Sequence, residues 1–221
     1  ASLGSGGAEN VLGRLVIDSN KGQRFKHEII VLNGVSTALS KKLAKEGVTI
    51  HYLSKHSSRW FLFAYILNIR KVLYQRSPAI VQTWMYHADI FGGIAARLAR
   101  CESVFWNIRG TMPASELKAT LILPIIGALS HIIPNKIICC GNEAAKYHAA
   151  KGYCVKRLVL IPNGYLFAGE PQITSMIKLM QDKHKKNIQQ EITILSVARF
   201  DRLKDHQNLI NAFALFCRAH N

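Results

Sequence analysis

Gly4, Gly6 and Gly7 stand within the first seven residues, and Ala8-Glu9 lead from them into a helical pattern that sets Val11, Leu12, Leu15 and Val16 on one face. Glycine admits φ > 0 and lets another molecule come close to the backbone. The first amides of the following helix lack intrahelical partners, and the helix dipole favours an anion beside them. Gly6 and Gly7 are therefore candidates to cradle a phosphate or a sugar, although so short a cluster reads equally as a plain loop. Glu9 falls in the first helical turn, where a carboxylate complements the dipole, and its reading is structural. His87 and Arg109 each follow a strand-like run, and the carboxyl ends of strands are where α/β sheets place ligand groups. A histidine there could hydrogen-bond a polar ligand group, and an arginine could meet a phosphate. Arg199 and Lys204 lie between a strand pattern and a helix pattern, where two cations would neutralise a diphosphate. Plainer readings stand beside these: a helix-start histidine, a loop arginine and two solvated surface cations.

The elements that must hold these residues alternate. Strand patterns at His27–Leu32, Val48–Leu53, Ala79–Trp84, Ser103–Ile108, Lys136–Cys140 and Arg157–Ile161 are separated by helical patterns. The helices are expected at Thr37–Glu46, Ser58–Arg76, Asp89–Arg100 and Asn142–Lys151, with two apolar pieces between Ser115 and Ile133 on either side of Pro124. Asn142 reads as an N-cap and His148 as structural. Apolar strands alternating with helices give an α/β fold, a Rossmann-like parallel sheet with helices on both faces. Pro162-Asn163-Gly164 closes this domain, 1–164. Residues 165–190 read as a linker with a basic helix carrying Lys178, Lys183, Lys185 and Lys186. A strand at Ile192–Val197 and a helix at Asp205–Arg218 open a second Rossmann-like domain over 191–221. One strand and one helix do not make a domain, and the glycine loop has only Ala1-Ser2-Leu3 before it, so a missing first strand and a truncated second domain are expected.

The 221 residues are 49% hydrophobic and 19% charged, a composition able to bury a core, with a net charge of +16. Such a balance points to an anionic partner: nucleic acid, a membrane surface or a phosphorylated substrate. Nucleic acid is disfavoured, because no binding motif is present and the aromatics do not interleave with the lysine run. No apolar run is long enough to span a bilayer, and the Ala119–Pro134 stretch is expected as a buried helix pair. Trp60, Phe61, Phe63 and Tyr65 with Arg59, Arg70 and Lys71 suit a membrane interface, or a helix whose aromatics pack on the sheet while its basic residues are solvated. Cys101, Cys139, Cys140, Cys154 and Cys217 are irregularly spaced and read as reduced packing residues of a cytoplasmic protein, with no metal-ligand spacing.

Five segments in order resemble family 4 glycosyltransferases, which have the GT-B fold. Ser2-Leu3-Gly4-Ser5-Gly6-Gly7-Ala8-Glu9 is similar to the family's opening loop. Gln82-Thr83-Trp84-Met85-Tyr86-His87-Ala88-Asp89 with Gly92-Gly93 resembles its middle motif, and Trp106-Asn107-Ile108-Arg109 a strand end facing the cleft. Ile161-Pro162-Asn163-Gly164 resembles the exit from the first domain, and Ser196-Val197-Ala198-Arg199-Phe200 with Lys204-Asp205 the start of the second. The resemblance implies two Rossmann-like domains across a cleft, the first for the acceptor and the second for a nucleotide-sugar donor. It implies transfer with retention and without a metal ion; the basic balance, which suits an anionic membrane face, points to a glycan or lipid-linked acceptor and a place on the cytoplasmic membrane face, with no cofactor expected. The resemblance gives Gly6, Gly7, Arg199 and Lys204 the donor diphosphate, and His87 and Arg109 the catalytic edge. Many relatives carry a histidine where this chain has Asn107 and Arg109, so that role does not transfer. The family's paired-glutamate motif is not found here, which implies little activity for these residues alone. A non-catalytic Rossmann-like module binding an anionic ligand is the alternative.

Overall fold

The computed structural model describes residues 3–4, 6–22, 25–32, 34–53, 61–110, 116–164, 174–175, 177–178, 194–198, 200 and 204–220. The chain divides into two compact units, Ala1–Tyr165 and Leu166–Asn221.

The first unit runs α1 (Gly7–Lys21), β1 (Glu28–Val31), α2 (Ala38–Lys45), β2 (Thr49–Tyr52), α3 (Phe61–Arg76), β3 (Ile80–Trp84) and α4 (Tyr86–Leu98). It continues with β4 (Ser103–Ile108), α5 (Glu116–Ser130), β5 (Lys136–Cys139), α6 (Asn142–Ala150) and β6 (Leu158–Leu160). Every ladder is parallel. β1 and β2 form one sheet, and β3-β4-β5-β6 form a second in sequence order. Successive right-handed crossovers in one direction place α4, α5 and α6 on one face of the larger sheet. α3 packs along α4 in the same layer, and α5 packs against α4.

Two apolar cores hold the layers together. Leu3, Val16, Val31, Leu43 and Val48 join α1 and α2 to the small sheet. Ile69, Ala95, Ala96, Trp106, Ile126, Ile137 and Cys139 join α3, α4 and α5 to the large one. Gly93 lets α4 descend onto β4, because a Cβ there would lie 2.8 Å from both Trp106 Nε1 and Ile133 Cγ2. Gly127 lets α5 approach the turn after α6, where a Cβ would meet the Lys151 carbonyl at 2.7 Å.

The amino edge of the large sheet is closed by arginines. Arg97 donates from Nε to Ile133 O (2.8 Å), from Nη1 to the carbonyls of Cys101 and Glu102 (3.0 Å each), and from Nη2 to Asn135 Oδ1 (2.9 Å). Arg157 donates to the carbonyls of Ser130 (3.2 Å) and Pro134 (2.7 Å).

Four expectations are corrected. The apolar stretch after Ser115 forms one helix, not two, with Pro124 inside it. Proline forfeits only one i→i−4 bond, which burial of Leu123 and Ile126 on the core offsets. The same helix is not buried all round, since Pro124, Ile125 and Ala128 are exposed. α4 begins at Tyr86 rather than Asp89, so His87 lies inside its first turn. Residues 194–198 belong to no strand, for a ladder needs a neighbour and no described residue supplies one.

In the second unit, α7 (His206–His220) is the principal element. Residues 174–175 and 177–178 are helical, with Lys178 exposed. Lys183, Lys185 and Lys186 lie outside the described residues, as do Arg59 and Trp60.

Candidate functional site

Parallel strands bring their carboxyl ends to one edge, and there Arg109 emerges from β4. Its guanidinium lies over the Trp84 ring at the end of β3, with Cζ 4.4 Å from the centroid. Nη1 donates to Asn163 Oδ1 at 2.7 Å, just beyond β6, and Nη2 donates to Asn107 Oδ1 at 3.1 Å. One arginine thus gathers the ends of β3, β4 and β6. Its Nε is buried without a hydrogen-bond partner among the described residues, and burial lowers its pKa from the ordinary arginine value. Arginine keeps its proton at any physiological pH, so a positive charge stands half-buried at this edge with no described carboxylate in hydrogen bond to it.

A second row of contacts fixes this first one. Asn107 is fully buried and donates through Nδ2 to the Thr83 carbonyl at 3.2 Å. The Thr83 hydroxyl donates to Asp89 Oδ1 at 2.5 Å. Asp89 is fully buried, and its Oδ2 has no partner among the described residues. Desolvation raises its pKa to about 8, with the Thr83 hydrogen bond pulling the other way. Met85, between β3 and α4, holds φ at 72° while its N–H donates to the Asn107 carbonyl at 3.1 Å. A non-glycine residue in the left-handed region is costly, and such positions cluster where a fold must aim a group. Here the bend turns the chain straight into the first turn of α4, with His87 exposed on it.

Tyr86, beside His87, is anchored inward. Its hydroxyl donates to His148 Nε2 at 2.9 Å, because His148 Nδ1 already donates to the Ala144 carbonyl at 2.7 Å. His148 is fully buried and burial lowers its pKa, which fits the structural reading of that residue. Asn142 does not cap α6, which corrects the expectation. Gly141 is the N-cap and provides no side-chain hydrogen bond, while Asn142 is the first helical residue.

Gly6 is the N-cap of α1 with φ at −70°, so its conformation does not require glycine, and Gly7 is already helical. α1 enters β1 at its amino end, so the start of α1 lies at the carboxyl edge of β1. The Thr37 hydroxyl just after β1 bonds the Leu3 carbonyl there. A Cβ at position 6 would meet only the carboxylate of Glu9, the far end of a flexible side chain that can move away, so close approach does not require glycine there either. Glu9 thus leans over the helix start, the place expected to receive a phosphate.

Lys204 is exposed in a single 3-10 turn of the second unit, and Arg199 lies outside the described residues. The structure brings Arg109 together with Trp84, Asn107 and Asn163, and it sets His87 at the start of the helix next to Trp84's strand. Trp84 and Asn163 were not singled out as site residues. Each was legible only as part of a strand end or a turn, since their partner lies 25 and 54 residues away in the chain. Among the described residues no group of three His, Cys, Asp or Glu is placed to hold a metal ion.

No family model and no curated protein matches the chain. Solved structures do share its fold. HepE of Anabaena, in complex with UDP and glucose, matches with a TM-score of 0.62 at 14% identity, over 81% of this chain and 48% of that one. The lipopolysaccharide outer core galactosyltransferase WaaB, in its apo form, matches at 0.56 and 15% identity, over 76% of this chain and 45% of that one. A putative UDP-N-acetylglucosamine 2-epimerase from Listeria monocytogenes matches at 0.50 and 12% identity, over 69% and 41%. The chain therefore spans less than half the length of these structures. The fold is the Rossmann-like α/β architecture of GT-B glycosyltransferases.

Proposed function

We propose that this chain belongs to a retaining, family 4-like glycosyltransferase that moves a hexosyl group from a nucleotide sugar to a glycan or lipid-linked acceptor at the cytoplasmic membrane face. The observation that carries the reading is the Arg109 clamp, a half-buried cation held by Trp84, Asn107 and Asn163 at the carboxyl edge of a parallel sheet. In the transfer, the bond from the anomeric carbon to the diphosphate breaks as the bond to the acceptor oxygen forms. The acceptor's proton leaves with the diphosphate. Negative charge grows on the departing oxygen, and fixed cations are what that change calls for.

Arg109 meets an anionic group of the acceptor or the donor, and exposed His87 hydrogen-bonds a sugar hydroxyl. Gly6 and Gly7 admit the donor to the backbone once Glu9 swings aside. Lys204, with Arg199, meets the diphosphate. The reading requires no metal and no cofactor besides the donor itself. Similarity to a protein solved with UDP and glucose and to a galactosyltransferase supports the choice of donor class.

The test is calorimetric titration with UDP-glucose and GDP-mannose, using the open reading frame that contains these residues. One of the two donors binds, and Arg199→Ala weakens it at least tenfold. Arg109→Ala abolishes transfer to a phosphorylated acceptor. If neither donor binds, the reading fails. Loss of N-acetylglucosamine configuration without any acceptor would instead favour epimerisation, the activity in the name of the Listeria neighbour.

A further inference from the structure

Asn107 meets Arg109 through an amide, and an amide serves there in one orientation only. A guanidinium carries donors alone, so it needs the oxygen end. Asn107 Oδ1 accepts from Arg109 Nη2 at 3.1 Å while Nδ2 is engaged on the other side, donating to the Thr83 carbonyl at 3.2 Å. Turned over, the amide would set N–H against N–H on one side and oxygen against oxygen on the other. The Thr83 carbonyl therefore decides which end of Asn107 the arginine meets.

Thr83 is itself held from behind. It is buried, and its hydroxyl oxygen lies 2.5 Å from Asp89 Oδ1 and 3.3 Å from the Phe105 carbonyl. The single hydroxyl hydrogen goes to the nearer acceptor, which ties β3 to α4. The Thr83 methyl lies against Gly92 of the same helix, where a Cβ would come within 3.0 Å of it. The main chain closes the ring. The Asp89 N–H donates to the Met85 carbonyl at 3.0 Å, and the Met85 N–H donates to the Asn107 carbonyl at 3.1 Å. The segment Thr83–Asp89 thus grips Asn107 twice, at its main chain and at its amide.

Cohesion alone does not call for this pair. Replacing both members of a buried hydrogen bond by apolar groups of similar shape can be nearly neutral for stability. Asp89 is fully buried and its Oδ2 has no partner among the described residues, a cost that an apolar side chain would not carry. We infer that Thr83 and Asp89 are positioning residues of the site: through hydroxyl, carbonyl and amide in turn, they hold Arg109 in place for an anionic ligand group. Their role deepens the transferase reading and rests on it, since Arg109 is there the cation that meets the ligand. Burial raises the Asp89 pKa to about 8, so its carboxyl is mostly neutral at neutral pH. Asparagine, which has an acceptor oxygen of its own, is therefore the conservative replacement.

The test follows the Arg109 Nε–H by nuclear magnetic resonance in the product of the open reading frame that contains these residues, with arginine carrying a heavy nitrogen isotope. The signal is identified by its loss in Arg109→Lys. Thr83→Val, which exchanges the hydroxyl for a methyl of similar size, speeds exchange of this hydrogen with water about tenfold, the factor that one hydrogen bond to a charged group is worth. Thr83→Ala, which only removes atoms, does the same. Thr83→Ser and Asp89→Asn keep the hydroxyl and its acceptor, and they leave the rate at the parent's value. Ser130→Ala removes another fully buried hydroxyl, one bonded at the amino edge to the Gly127 carbonyl and the Cys154 N–H. It lowers stability in urea without changing the Arg109 rate. In the same preparations kcat/KM for a phosphorylated acceptor falls as the exchange rate rises, and Thr83→Ser recovers it. Exchange left unchanged by both Thr83→Val and Thr83→Ala overturns the inference, and so does a Ser130→Ala protein that loosens Arg109 equally. Exchange that follows Thr83 in a protein with no transferase activity upholds the positioning and counts against the transferase reading alone.

Discussion

Arg109 owes its position to residues that cannot be recognised as its partners from their places in the chain. A strand-end arginine is legible because strand patterns are, but Asn163 sits in a Pro-Asn-Gly turn whose composition explains it without any ligand role. Trp84 offers its ring face because Thr83, one residue earlier, turns to the buried side and ties to Asp89. Asp89 itself read as a helix start, and in the structure it is a carboxyl sealed beneath the helix it was expected to begin. Its raised pKa has a definite sign. The folded protein keeps a proton there that the unfolded chain releases near the ordinary carboxylate value of about 4. Stability from this group is therefore complete below about pH 4 and declines up to about pH 8, by roughly 1 kcal/mol per pH unit in that window. Melting followed by circular dichroism at pH 5.5 and pH 7.5 is expected to show the drop, and Asp89→Asn to flatten it. An Asp89→Asn protein with the same pH dependence as the parent would show that another group is responsible.

At the scale of elements, strand periodicity located the six strands among the described residues of the first unit within a residue or two, because each apolar run is bounded by glycine, proline or a change of period. Helix termini were less legible. α4 starts three residues early because Met85 takes a left-handed bend that no residue type announces, and α6 is capped by Gly141 rather than by the asparagine beside it. Pro124 was read as a break, yet the packing of α5 on the core carries the helix through it. Glycines within helices are explained by distance rather than flexibility. Gly93→Ala would push a methyl into Trp106 and Ile133, and overpacking of this sort costs about 1–3 kcal/mol. Urea unfolding is expected to show that loss, whereas Gly7→Ala, which meets nothing within 4 Å, is expected to be neutral or slightly stabilising. Equal stability of the two variants would mean that α4 does not sit as closely on β4 as described.

For the molecule as a whole, composition announced a packed α/β body and an anionic partner, and the parallel ladders realise the first of these. The second unit was less legible, because a strand pattern is only a potential until another strand pairs with it, and residues 194–198 remain exposed. The five cysteines give a check on the body as a whole. Cys101 and Cys139 are buried, and burial pushes the Cys139 thiol up to about 11. Native protein treated with a thiol reagent at pH 7.5 is expected to leave these two unmodified, with all five reacting in denaturant. Rapid native modification of Cys139 would mean that the core between β5 and its helices opens.

The sewing of the amino edge by Arg97 and Arg157 has a consequence for change over time. Apart from the bond from Arg97 to Asn135 Oδ1, their guanidinium groups bind main-chain carbonyls, which every sequence supplies, so this seam depends little on which side chains lie nearby. The opposite rim is fastened by side chains such as Asn107 and Asn163, which a single codon can replace. The turn at 161–164 can therefore vary more freely than the amino edge, which keeps the strands in register. Replacing Asn163 should loosen Arg109 long before it alters whether the chain folds.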